Sequence, residues 1–203
     1  EKPFILDFDN DQHAVLEPEV EHLPFKFHSK LLYAFVPASD IENFLKSVPH
    51  KVLGKYDTIS FQPNIYEIEI NHEKMTLCQA PLGAAAATML LDWLIAYGVK
   101  QVLAFGNAGA IKELPENAMF LPVKAIRGEG TSFYYKEPGQ FIDMRSNYLN
   151  EIGKVITLKP WDGNWSKLAN FSIWQYSFSI PTRCAAHISF GSPVFLNFSA
   201  IFS

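Results

Sequence analysis

The chain has 203 residues, 48% hydrophobic and 19% charged, which is enough for one domain with a full core. A formal net charge of -4 and a pI near 5.9 supply no basic field for nucleic acid or anionic lipid, so neither kind of partner is expected. The two cysteines, Cys78 and Cys184, are too few for a disulfide framework and read as buried, inert thiols of a reducing, cytoplasmic compartment.

The opening EKPFILDFDNDQHAV carries early acidic residues and no cationic start before a long apolar core, so it does not read as a secretory leader. No uncharged apolar run reaches the roughly 18 residues of a spanning helix. Leu31 to Val36 is a short apolar run stopped by Pro37, which predicts a buried strand. Ser39, with Glu42 three positions later, has the form of a capping box, and Ile41, Phe44, Leu45 and Val48 follow at helical spacing up to Pro49.

Between 51 and 79 the pieces TISFQP, IYEIEI and KMTLCQA alternate polar with apolar residues, and Asn71-His72 stands at a turn between the last two. This predicts antiparallel hairpin strands feeding a sheet. The run AAAATMLLDWLIAY predicts a helix over 84–97, with Leu90, Leu91, Leu94 and Ile95 on its apolar face and Gly98 as the residue just past its end. VLAFGNAGAI and MFLPVKAI then read as two strands, each opening into a glycine-containing loop. The order is that of a mixed α/β domain whose sheet is covered on both faces by helices.

Strand ends that release such loops are where α/β sheets bind small molecules. GNAG at 106–109 is not a dinucleotide fingerprint: no third glycine is correctly placed, and Pro115 argues against a long following helix. The second loop gathers Arg127, Glu129, Thr131, Ser132, Tyr134 and Tyr135, with Gly128 and Gly130 letting the backbone turn tightly. A fixed positive charge, an acceptor, hydroxyls and aromatic faces are the groups that a sugar or a planar base requires. The plainer reading is a surface turn with an Arg–Glu pair.

Over 30–155 the chain resembles the nucleoside phosphorylase family, and within it the bacterial uridine phosphorylase-like branch. The residues that carry the resemblance are QAPLGAAAATMLLDWLIAYGVKQVLAFGNAGAI, followed by LPENAMFLPVKAIRGEGTSFYY, which match a small-residue helix, a G-T/N-x-G loop and an R-x-E-G-T-S-[FY]-x-Y loop. The resemblance implies a three-layer α/β/α domain with a mixed β-sheet, assembled as a homo-oligomer, a dimer or a hexamer. It implies phosphorolytic cleavage of a nucleoside to free base and ribose 1-phosphate, with phosphate as co-substrate, no other cofactor and no metal. Substrate-binding roles fall on Gly106, Asn107, Ala108, Gly109, Glu129, Gly130, Thr131, Ser132, Phe133 and Tyr135. His13 resembles an early histidine that reaches a neighbouring subunit's ribose.

Several family positions differ. Ala104 and Phe105 stand where an arginine usually precedes the loop, and Val36-Pro37-Ala38-Ser39-Asp40 replaces a Gly-Asp-x-x-Arg turn. Arginine occurs only at 127, 145 and 183, so Arg127 is the cation expected in the pocket and is assigned the catalytic role. The backbone N–H groups at the start of the helix near Ser39 offer a second anion contact. Two further readings therefore stay open: a phosphate-independent nucleoside hydrolase, and a non-catalytic nucleoside or nucleobase binder with an incomplete active site.

The domain is read as 1–203, with 155–203 an atypical tail. That stretch has no glutamate and is rich in Phe, Ser, Ile and Trp. The family's threonine-rich strand, base-contacting segment and Met-Glu helix are not recognisable in it; Arg183-Cys184-Ala185-Ala186 faintly resembles the M-E-C-x-A run, but Arg183 stands at the glutamate's place and cannot accept a bond from a ribose hydroxyl. A truncated or frameshifted terminus and a divergent native one both account for this composition. A membrane-associating tail is disfavoured, because polar residues interrupt every apolar run.

Overall fold

A computed structural model describes residues 3–11, 15–18, 22–24, 26–106, 122 and 124–143, and the backbone of 177–179. The run expected as the first strand forms β1 (Lys30–Phe35), with Leu31, Leu32, Tyr33 and Ala34 all buried. Continuous apolar character is what a strand covered on both faces requires. After it come α1 (Ala38–Leu45), β2 (His50–Lys55), β3 (Asn64–Ile70), β4 (Glu73–Gln79), α2 (Ala84–Ala96) and β5 (Gln101–Gly106). A small ribbon of β6 (Lys124–Ile126) and β7 (Phe141–Asp143) follows, and then β8 (Ser177–Ser179).

The main sheet has the order β2-β3-β4-β1-β5-β8. β1 runs parallel to β4 and β5, while β2, β3 and β4 form an antiparallel meander and β8 lies antiparallel on β5. Successive residues of β1 serve opposite faces. Leu31 and Tyr33 join a cluster with Ala87, Leu90, Leu91 and Leu94 of α2. Leu32 and Ala34 join Ile41 and Leu45 of α1, together with Ile68, Met75 and Leu77. The result is the expected three-layer α/β/α arrangement around a mixed sheet. The Tyr33 hydroxyl donates to the Ala87 carbonyl at 2.8 Å, tying the central strand to α2.

Two local expectations are corrected, and a third holds over its described part. α1 begins after Pro37, with no side-chain cap, so the Ser39–Glu42 capping box does not form. Pro37 supplies a fixed φ near -56°, and its carbonyl accepts from Asp40 and Ile41. TISFQP is a loop in which Thr58 bonds Phe61 through both main chain and hydroxyl, and the outer strand of the meander is β2 instead. β2 escapes pattern reading because it is an exposed edge with a register shift between Val52 and Gly54. Of MFLPVKAI, the described strand is Lys124–Ile126, which pairs with β7 rather than with the main sheet; the other expected positions up to 121, and 123, lie outside the described residues.

Two turn expectations hold. Asn71 and His72 both take positive φ, 51° and 64°, in the two-residue turn joining β3 to β4. Gly98 has φ 118°; its N–H donates to Ile95 O and that of Val99 to Leu94 O, which closes α2 in a Schellman arrangement. Cys78 is buried in the core as a free thiol, and burial pushes its pKa up. Cys184 lies outside the described residues.

An ionic cluster not anticipated from the sequence locks the meander. The half-buried Glu67 carboxylate accepts from His28 Nε2 at 2.7 Å and Lys74 Nζ at 3.0 Å, with Lys51 Nζ at 3.3 Å. The His28 bond foremost, then Lys74, lowers the Glu67 pKa from 4.5 to about 2. A carboxyl held below its unfolded value adds stability that is complete above about 4.5 and lost as pH falls towards about 2. Acid titration of the thermal midpoint should therefore show a decline across that window that is smaller in Glu67→Gln. Equal slopes in the two proteins would exclude Glu67 as its source.

Candidate functional site

Because β4, β1 and β5 are parallel neighbours, their C-terminal residues Gln79, Phe35 and Gly106 lie at one edge of the sheet. From that edge the chain leaves β1 towards α1 on one face and β4 towards α2 on the other. Adjacent strands that send their connections to opposite faces open a crevice, and this is where open α/β sheets take ligands. Gln79, the last residue of β4, donates from Nε2 to Val36 O just past β1 at 2.9 Å, and Ala80 N donates to Ala34 O at 2.8 Å. Sequence reading passed over Gln79, because a lone glutamine carries no motif.

Gly106 ends β5 beside Phe35. A Cβ built on it would stand 2.6 Å from Phe35 Cβ and 2.7 Å from Phe35 O, so glycine is required here by close packing. Asn107, Ala108, Gly109 and His13 lie outside the described residues. Ala104 is buried against the α2 layer, so an apolar core occupies the place where an arginine was sought. At α1, Asp40 already sets a carboxylate in the first turn, which reduces the appeal of that helix start to another anion.

The R-x-E-G-T-S loop folds as a self-bonded unit. Arg127 is buried, and Nε donates to Ser132 Oγ at 3.0 Å. Nη2 donates to the carbonyls of Ser132 at 2.8 Å and Lys136 at 2.9 Å, and Nη1 to that of Glu137. The Phe133 ring lies over the guanidinium at 4.1 Å. Burial lowers the Arg127 pKa, with the Glu129 carboxylate opposing that shift. Its donors thus go chiefly into shaping the loop.

Glu129 is equally local. Its carboxylate accepts the N–H groups of Thr131 at 2.7 Å and Ser132 at 3.1 Å, opening the 3-10 turn Thr131–Tyr134. Gly130 packs near Ile5 of the N-terminal 3-10 turn Phe4–Leu6, whose Cδ1 would lie 3.0 Å from an added Cβ. Tyr135 points elsewhere: its hydroxyl donates to Asp92 Oδ2 of α2 at 2.6 Å. Burial first, then the Asp92 carboxylate, raises the Tyr135 pKa.

The structure thus brings Arg127, Glu129, Gly130, Thr131, Ser132, Phe133 and Tyr135 into one loop, set on the α2 side of the domain by Ala125 and Ile142 of the ribbon. Among the described residues there is no cluster of metal-ligating side chains. Nor is any helix there long and apolar enough to cross a membrane.

A family model described as phosphorylase superfamily matches residues 33–172, a span that includes both the β5 end and the Arg127 loop. The chain belongs to the phosphorylase superfamily. No curated protein matches it. Among solved structures, this superfamily member is similar to uridine phosphorylase from Vibrio fischeri ES114, at 17% identity and a TM-score of 0.53, covering 64% of this chain and 53% of that one. Purine nucleoside phosphorylase from Toxoplasma gondii aligns at 12% identity and 0.56, covering 66% and 55%. A futalosine hydrolase mutant of Helicobacter pylori aligns at 17% and 0.50, covering 73% and 76%. At these identities the likeness is one of fold, and the alignment spans about half the length of the first two structures.

Proposed function

We propose that this phosphorylase-superfamily chain binds a nucleoside at the C-terminal edge of β1, β4 and β5 and cleaves its N-glycosidic bond, with a uridine-like substrate as the preferred choice. The observation that carries the proposal is the family match over 33–172, which takes in the glycine-ended β5 and the folded Arg127 loop. Cleavage passes through a ribosyl group with oxocarbenium character, so the site must favour positive charge at the sugar and negative charge on the departing base. Phosphate as co-substrate meets the first requirement. The glycine loop that follows β5, with Asn107, Ala108 and Gly109, is the proposed contact for nucleoside and phosphate, and His13 is proposed for the ribose.

Arg127 enters this proposal through the loop it organises. Glu129, Thr131, Ser132 and Phe133 are proposed to present that loop to the nucleoside. A second reading, hydrolysis by water, is favoured by one observation: Ala104 is buried in apolar core where a phosphate-binding arginine was sought. Homo-oligomeric assembly and a cytoplasmic location belong to the same proposal.

The test incubates the protein with uridine, inosine and adenosine, each with and without phosphate. Free base released only with phosphate supports phosphorolysis; release in both conditions supports the hydrolase reading. Saturable calorimetric binding without turnover would leave a nucleoside-binding protein, and absence of both would overturn the proposal.

A further inference from the structure

The Arg127 loop has a fixed internal shape, yet shape alone does not place it. Its internal bonds, from Arg127 to Ser132, Lys136 and Glu137 and from Glu129 to Thr131 and Ser132, all close within the loop. Its described apolar supports, Ala125, Ile142 and the approach of Ile5 to Gly130, are contacts without direction. The Tyr135 hydroxyl is different. It reaches 43 residues back to Asp92 on α2 with a 2.6 Å hydrogen bond to a carboxylate, the short, strong and directional kind.

α2 is itself rigidly held. Its buried face packs on β1 and β5, the Tyr33 hydroxyl donates to Ala87 O, and its start is joined to the end of β4 by the short connection 80–83. A bond from the loop to Asp92 therefore refers the loop to the same strands whose ends form the crevice.

We propose that the Tyr135–Asp92 hydrogen bond is a latch that holds the Arg127 loop in register with the strand-end site, making Tyr135 a positioning residue and Asp92 its partner. This deepens the nucleoside-site reading and rests on it for the functional consequence. The resemblance gave Tyr135 a place among the substrate-binding residues, and its hydroxyl is bonded to the helix. Burial and the carboxylate both favour the protonated phenol, so the donor persists across the neutral range.

The experiment compares Tyr135→Phe, Asp92→Ala, Asp92→Asn and the Tyr135→Phe/Asp92→Ala double variant in the full chain. Uridine, inosine and adenosine serve as ligands, and NMR relaxation dispersion is recorded on the amides of 127–137. Loss of the latch should raise KM, or Kd where there is no turnover, by roughly tenfold, with kcat changed about twofold or less. Asparagine at 92 still accepts a hydrogen bond and should recover part of the loss relative to alanine. The double variant should be no worse than Tyr135→Phe alone, because both remove one bond.

Exchange broadening of the loop amides should rise in every variant that breaks the bond. Weaker binding with unchanged loop dynamics would mean that Tyr135 touches ligand directly, and would overturn the latch. Unchanged binding and unchanged dynamics would overturn it too. Increased loop exchange in a protein that binds none of the three nucleosides would keep the latch as a structural device and overturn the nucleoside reading instead.

Discussion

Arg127→Ala is expected to unravel the loop between β6 and β7 while leaving the main sheet folded. The substitution removes a buried guanidinium that donates to Ser132 Oγ and to the carbonyls of Ser132, Lys136 and Glu137. It also strips the Phe133 ring of the cation beneath it. Carbonyls left without a donor in a partly buried setting make the loss about 2–4 kcal/mol, a roughly 30- to 700-fold shift in the loop's local opening equilibrium. Amide exchange at Thr131 and Ser132 should accelerate by that order, and nucleoside affinity should fall with it.

Arg127→Lys should not restore order. An ammonium on a flexible stem cannot reproduce the planar fork that serves Ser132 on one side and the Lys136 and Glu137 carbonyls on the other. The remainder of the domain should keep its cooperative transition, since β6 and β7 form a separate two-stranded sheet. Unaltered protection at Thr131 and Ser132 in the alanine variant would show that the carbonyl network does not hold the loop.

Gly106→Ala acts on the other half of the site and by a different route. The added methyl would meet Phe35 Cβ at 2.6 Å and Phe35 O at 2.7 Å, distances at which neither backbone nor Cβ can simply rotate away. β5 and β1 must separate locally, at the C-terminal end of their parallel pairing. Overpacking of this kind costs about 1–3 kcal/mol, and with the usual scaling for a chain of this size the thermal midpoint should drop by roughly 2–12 °C. Binding should weaken as well, because the strand end that launches the glycine loop is displaced. A midpoint within a degree of the parent would mean that the strands part without strain.

Much of the architecture was legible in the residue pattern. The uninterrupted LLYAF of β1 announces a strand covered on both faces, and the alternation in IYEIEI and KMTLCQ, broken by Asn71-His72, announces a hairpin. Gly98 marks the end of α2 because only glycine accepts φ 118° cheaply. The misses have separate causes. β2 hid because an exposed edge strand has few apolar residues to alternate, and the Ser39 cap failed because Pro37 already closes the turn with its fixed φ.

The candidate site divides along the same line. Gly106, Arg127, Glu129, Ser132 and Tyr135 were all named from the sequence as site residues, and loop type and order were enough for that. Their partners were not legible. Arginine, glutamate and tyrosine declare how many bonds they can make and nothing about with whom. Arg127 turned inward to Ser132 and the loop carbonyls, Glu129 to the amides two and three residues on, and Tyr135 to a helix 43 residues earlier. Glu67, unmarked in the sequence, drew Lys51 and Lys74 to itself because the register of β2, β3 and β4 sets these side chains side by side, and His28 joins them from the segment before β1, where its N–H is held by Thr76 Oγ1.

By itself, then, the order of residues determined the layers of this superfamily member, the position of its turns and the two loops that mark its family. Hydrophobic period and backbone preference are local quantities, carried by neighbours in the chain. Only the tertiary structure decided which charges are spent on holding the loop, why glycine must end β5, and what anchors Tyr135. Those outcomes depend on distances between groups far apart in sequence, where a few tenths of an ångström separate a bond from a clash.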